Sequence, residues 1–340
     1  MLFKTLKMKS FRNIKYTSFI QMILFFTIFL SACKENNEKT ELIIESNKSI
    51  YESDPKNAQI ITTDIDLFWN AYDQLLKDTL NNSFQKEYLN KGSIGLQDII
   101  NTNRIESAEA LKQLVLSEQD YYNNIRASTY KSKYYEKQIR ATHYALKYLY
   151  PEAVFPPVYL VIGRTTGIGM DTKNGLVITV ETLSENNYVT NYGRPTFDLN
   201  LLPFVVAHEI IHFLQKDNIT DETLLKHCIR EGSADFISEM TSGEKVKLCN
   251  GPNVYSYGNL HEEELWNEFK KNMYTTVLSP WLYSQVPDSR PQNLGYWMGY
   301  KIVQAYYTNA SDKRKAIEEI LNITDYSAFF ELSKYGNKFE

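Results

Sequence analysis

The sequence predicts a mainly helical α+β fold, in which a pair of helices carries a site beside a small β-hairpin or sheet. Three observations lead there. Residues 61–150 show apolar positions at helical spacing with no proline. Two short β-branched runs, Val158–Ile162 and Leu176–Glu181, follow Pro151, Pro156 and Pro157. A helix apolar on nearly every side, within 202–214, then carries two histidines and a glutamate.

The chain opens on a segment unlike the rest. Lys4, Lys7, Lys9, Arg12 and Lys15 form a basic region without an acid. Phe19–Leu30 is a short apolar run, too short for a membrane span and suited to a signal peptide. It ends in Leu30-Ser31-Ala32-Cys33, which resembles the bacterial lipobox. That resemblance implies removal of residues 1–32, lipidation of Cys33, and a membrane anchor in the cell envelope, with the outer membrane the expected address. Residues 33–60 are rich in Lys, Glu, Asn and Ser and read as a flexible tether. Lys34-Glu35 is similar to surface-export signals that follow lipidated cysteines; a solvated linker has the same composition.

The full chain has a net charge of −4, and loss of the five leading cations makes the mature protein −9. An acidic chain with no basic block is a poor partner for nucleic acid, and none is expected. Lipidation uses one of the three cysteines and leaves Cys228 and Cys249. Export permits a disulfide between them, but two separate thiols fit the sequence equally.

In the N-terminal helical region, 61–150, the spacing of Ile65, Phe68, Trp69, Tyr72, Leu75 and Leu76 predicts a first helix, with Thr63 and Asp66 as a capping pair. Further helices are expected near 84–100, 105–126 and 130–149. Tyr121, Tyr122, Tyr130, Tyr134, Tyr135, Tyr144, Tyr148 and Tyr150 are expected to serve as core and contact residues. His143 is expected to be structural.

Beyond Pro157 the two β runs flank GRTTGIGMDTKNG, which has no G-K-[S/T] ending and is not a phosphate loop. A hairpin with a long connection is expected. It is either a core element or an edge for binding an extended peptide. Glu181 ends the second run, facing the cleft or the surface.

Leu202–His212 reads LPFVVAHEIIH. His208 and His212 lie one helical turn apart on one face, so both imidazoles can reach one metal ion. Glu209 completes the H-E-x-x-H pattern, in which the histidines bind zinc and the glutamate acts as general base. Burying three polar groups in an apolar helix is costly unless a metal satisfies them. Pro203 suits the first turn, and Asp198 or Asn200 is a candidate cap. Gln215 and Asn218 stand where the metzincin pattern needs Gly and His, which excludes that pattern. A second helix is expected over 221–240, from Thr220 to a stop at Ser242-Gly243. It carries Glu231 as a candidate third ligand, and Asp235 one turn on as a support for a ligating histidine. Gly232 would allow close approach of helices around the ion.

H-E-x-x-H followed after 18 residues by Glu resembles the gluzincin metallopeptidases. The chain also resembles a family of predicted zinc-dependent proteases related to gliding-motility lipoproteins, through residues 156–181, HEIIH, EGSADF and 294–307. The resemblance implies a zincin-like catalytic region over 151–340. One Zn2+ per chain would be held by His208, His212 and Glu231, with Glu209 as base and a peptide or protein as substrate. It also implies a downstream tyrosine or histidine that stabilises an oxyanion. Tyr296 is the first candidate and Tyr300 the second, both on an aromatic helix over 294–307 whose Gly295 and Gly299 permit close packing. Residues 244–292 are expected to be surface helices and loops. The alternative expectation is a non-catalytic envelope lipoprotein, related to gliding motility or binding peptide or polysaccharide, with a structural or vestigial zinc site.

Overall fold

A computed structural model describes residues 51–216, 220–245, 253–284 and 290–340. Cys33, Cys249 and the tether up to residue 50 lie outside the described residues. A four-stranded sheet sits between two sets of helices, as the mainly helical α+β reading expects. Its strands are β1 (Ile60–Ile61), β2 (Val158–Val161), β3 (Gly169–Thr172) and β4 (Gly175–Thr179), in the order β1-β2-β4-β3. β1, β2 and β4 run parallel, and β3 returns antiparallel on β4 as an edge strand. β2 and β4 are buried at every position, which is why they read as unbroken apolar runs. Leu183–Ser184 (β5) and Phe197–Asp198 (β6) form a separate parallel pair.

The expected hairpin of 158–162 with 176–181 is therefore corrected. Those two runs are parallel neighbours, and the hairpin joins β3 to β4. The sequence concealed β3 because GMDT is short, polar and only partly buried. Glu181 faces neither cleft nor surface: it is fully buried, and its Oε1 accepts the Thr165 N–H at 2.9 Å.

The crossover from β1 to β2 carries five helices: α1 (Thr63–Lys77), α2 (Ile94–Ile99), α3 (Ala108–Ser117), α4 (Gln119–Ser132) and α5 (Glu136–Leu149). Thr62, not a Thr63–Asp66 pair, precedes α1, with no side-chain cap. The single helix expected near 84–100 is a π-turn, Phe84–Leu89, then α2, whose Ser93 cap is held by the buried Asp64 carboxylate. The helix expected over 105–126 divides at Glu118, whose carboxylate accepts the Asn191 N–H.

Phe68, Trp69, Tyr72, Phe84, Tyr88 and Tyr122 are all buried to 1% or less and form an aromatic core under the sheet. Tyrosine rather than phenylalanine is needed at three places. Tyr88 Oη donates to the Ile162 carbonyl and accepts its N–H, Tyr122 Oη donates to the Gly163 carbonyl, and Tyr121 Oη donates to the Glu181 carbonyl. These bonds satisfy backbone groups where strands give way to loops. The expectation of a wholly structural tyrosine set is corrected for α5 and the turn before it. Tyr134, Tyr144 and Tyr148 are 80%, 50% and 68% exposed, on the outward face. His143 is structural as expected, buried and stacked on Phe155 at 4.8 Å.

Helix α6 (Leu202–Leu214) crosses the sheet beside β3 and β4, and α7 (Leu224–Ser242) packs along it. Phe204, Val206, Ile210 and Ile211 of α6 are fully buried, each contributing about 1.5–3 kcal/mol. Asp198 caps a 3₁₀ turn, Leu199–Leu201, that leads into α6, and Pro203 lies in the first turn of the helix. Thr223, rather than Thr220, caps α7, and Gly243 ends it in the left-handed conformation at φ 74°.

α8 (Val254–Leu260) and α9 (Glu262–Phe269) follow, then α10 (Leu294–Asn309), α11 (Lys313–Leu321) and α12 (Tyr326–Ser333). Residues 244–292 are less superficial than expected, since Trp266, Phe269 and Trp281 are buried. α10 lies directly on α7. A Cβ on Gly232 would stand 2.0 Å from the Tyr300 nitrogen, and one on Gly299 only 1.7 Å from the Cys228 carbonyl oxygen. Gly232 thus serves contact with α10, not approach around an ion. Residues Glu52–Glu340 form one compact unit, so regions 61–150 and 151–340 share its packing. Among the described residues, no helix is long and apolar enough to cross a membrane.

Candidate functional site

α6 and α7 bring three ligand-type atoms to one point. His208 Nε2 lies 3.0 Å from His212 Nε2, His212 Nε2 lies 3.1 Å from Glu231 Oε2, and His208 Nε2 lies 3.4 Å from that same oxygen. A tetrahedral zinc with bonds of roughly 2.0–2.1 Å has ligand-to-ligand edges of about 3.3 Å. The three observed edges bracket that value, so the donor set fits the ion in type and in spacing. Among the described residues, no other group of three acids, histidines or cysteines converges in this way.

Each imidazole has a polar group behind its far nitrogen, and for His212 a hydrogen bond there fixes the tautomer that leaves Nε2 facing inward. His208 Nδ1 lies 2.9 Å from Asp235 Oδ1, an ion-pair contact rather than a linear N–H bond. Asp235 is held from behind by Tyr255, whose hydroxyl donates to Oδ2 at 2.8 Å. His212 Nδ1 meets Gln215 Oε1 at 2.9 Å, and Gln215 Nε2 donates to the Arg230 carbonyl. Gln215 belongs to the site, although in the sequence it served only to exclude a pattern.

The charges follow from this packing. Burial alone would lower the His208 imidazole, but the Asp235 and Glu231 carboxylates outweigh it and hold its pKa well above the usual value. Burial alone would raise Glu231. The His212 charge and the bonds to both histidines reverse that and hold the carboxyl well below its usual range. Glu209 is shifted up by burial, opposed by His208 and His212.

Glu209 turns from α6 toward the edge strand. A Cβ on Gly169 would lie 2.0 Å from Glu209 Oε1, so a side chain there would force this carboxylate out of its place. The Thr179 N–H donates to the Ile168 carbonyl, and Gly169 is the next residue in the antiparallel register with β4. The peptide groups of Gly169 therefore point away from β4. Its carbonyl accepts from the Arg104 guanidinium, which reaches the sheet edge from the N-terminal helices. Neither Gly169 nor Arg104 carried a signal in the sequence beyond the glycine content of the loop.

Tyr296 stands at the site, its ring stacked 6.4 Å from that of His208. Tyr300, the second candidate, turns away and packs against Phe236 and Tyr255, its hydroxyl bonded to Glu239. The tyrosine that touches a ligand is Tyr283, whose hydroxyl donates to Glu231 Oε1 at 2.5 Å. Burial, then the Glu231 charge, pushes this phenol above its usual range. Cys228 is buried with a free thiol against Gly295, and burial raises it well above the usual range.

No curated protein and no solved structure matches the chain. The resemblance to zinc-dependent proteases finds no support among the comparisons, whereas the gliding-motility relation does. The family described as gliding motility protein GldB matches residues 45–337, and the chain accordingly belongs to that family of cell-envelope lipoproteins.

Proposed function

We propose that this envelope lipoprotein carries one zinc ion on His208, His212 and Glu231 and hydrolyses peptide bonds with Glu209 as general base. The observation that carries the reading is the convergence of three ligand atoms at 3.0–3.4 Å with Glu209 on the same helix. Zinc bound there would supply a Lewis acid for the substrate carbonyl and lower the pKa of water toward neutrality. Glu209 takes the proton from the attacking water and passes it to the departing amine, so one carboxyl serves as base and then acid. Asp235 and Gln215 keep the two imidazoles oriented. Tyr296, over His208, is the candidate donor to the oxyanion. The outward Gly169 N–H at the β3 edge offers pairing to an extended substrate next to Glu209, while Arg104 holds the Gly169 carbonyl. Lipidation at Cys33 would bring the protein to a membrane surface.

A second reading is favoured by the family match: a motility lipoprotein in which the metal centre holds structure and performs no chemistry. Glu209→Gln separates the two. If purified Glu209→Gln keeps about one zinc per chain but loses hydrolysis of peptide substrates, and cells carrying it lose gliding, the enzyme reading stands. Cells that glide normally on Glu209→Gln, with no hydrolysis by the wild-type protein, establish the second reading. Glu231→Ala should remove the zinc under either.

A further inference from the structure

We propose that Tyr283 is a positioning residue for the metal centre, holding Glu231 Oε1 so that the carboxylate presents one oxygen, Oε2, to the two imidazoles. The inference deepens the metal-centre reading above and rests on it. A carboxylate can bind a cation through one oxygen or both. Here the two oxygens are divided: Oε2 lies 3.1 and 3.4 Å from the histidine nitrogens, while Oε1 accepts the Tyr283 hydroxyl at 2.5 Å. An oxygen engaged in this way would be less available to a cation, so Glu231 would offer Oε2 alone. A bound zinc would then keep room for water or substrate, which a catalytic site needs and a closed structural site lacks.

The hydroxyl end of Tyr283 is enclosed beside Glu231, but the residue as a whole is 60% exposed, so packing of its ring does not account for its placement. Its backbone is left-handed, φ 57°, a conformation that bulky residues rarely adopt. The Tyr283 N–H donates to Asn293 Oδ1 at 2.8 Å, and Asn293 is itself left-handed, φ 61°, at the start of α10. Two unfavourable residues are thus tied by one hydrogen bond at the point that presents the hydroxyl. Trp281 and Leu282, just before, are buried, and the Trp281 carbonyl accepts the Gly295 N–H at 2.9 Å. Tyr283 is thus held through its N–H and by the buried residues before it, and its strained backbone stands where its hydroxyl meets a candidate ligand, the pattern expected of a functional site.

The test uses the mature protein loaded with Co2+, with Tyr283→Phe beside wild type. Wild type should bind one cobalt per chain and show the strong visible band of a four-coordinate ion. Tyr283→Phe should still bind one cobalt, but with a several-fold weaker band as Oε1 joins the ion and the site becomes five-coordinate. Its zinc affinity should shift roughly 10-fold or more relative to wild type. Asn293→Gly, which keeps the left-handed backbone but removes the bond to Tyr283, should shift the band in the same direction. A Tyr283→Phe protein with wild-type band intensity and zinc affinity overturns the role of Tyr283 and leaves the metal centre standing. Wild-type protein that binds no cobalt and no zinc overturns both.

Discussion

His212 depends on the residue behind its ring. Gln215 fixes the imidazole through Oε1 and is itself fixed by the Arg230 carbonyl of the neighbouring helix. Gln215→Ala frees the ring to rotate, and zinc affinity should fall roughly 10- to 100-fold with little change in thermal stability. Competition with a chelator of known affinity reads that shift. His143 gives a second prediction at this scale. Burial, then the nearby Arg140 charge, pushes its pKa down to about 3, and neither ring nitrogen has a hydrogen-bond partner. The unfolded chain binds a proton at this position near pH 6.5, while the folded chain refuses it until far lower pH. Its contribution is therefore intact above pH 6.5 and is lost as the pH falls. By pH 5 the loss should reach about 2 kcal/mol, each pH unit being worth about 1.4. His143→Phe should remove that part of the acid sensitivity, measured as the slope of denaturant stability between pH 7 and 5.

At the scale of elements, the crossing of α7 and α10 is the most constrained contact. The would-be Cβ atoms of Gly232 and Gly299 meet backbone at 2.0 and 1.7 Å, not flexible side-chain ends. Gly299→Ala must therefore push the helices apart, and α7 carries Glu231. The expected cost is roughly 3 kcal/mol, seen as a fall in Tm, accompanied by weaker zinc binding. Gly193→Ala is the control: no heavy atom lies within 4 Å of its would-be Cβ, so only the strain of φ 83° remains. The glycines at 232, 295 and 299 were legible as sites of close packing. Which helix approached Gly232 was not, because a sequence gives the face of a helix but not its neighbour.

At the scale of the whole molecule, β1 and β2 are adjacent parallel strands separated by 96 residues that hold five helices. The N-terminal helices thereby support the sheet edge beside the site, and Arg104 reaches Gly169 from among them. Lipidation at Cys33 is the anchor that the sequence leads one to expect. Cys33→Ala should abolish lipid labelling and move the protein from the membrane fraction to the soluble one, since no described helix can span a bilayer. If the variant stays with membranes without lipid, some other contact holds the protein there.

The sequence by itself determined what depends on short-range spacing. It placed His208, Glu209 and His212 together, since a helix fixes where residues one turn apart lie. It also indicated α7, the all-apolar character of α6 and the balance of helix over strand. Tertiary structure alone decided which strands pair, because parallel neighbours and hairpin partners share the same apolar pattern. It alone selected Tyr283, Gln215 and Gly169, whose side chain or backbone matters through contact with an element distant in the chain. It also separated Tyr296 from Tyr300, which share a helical face by spacing but meet different neighbours once α10 packs on α7.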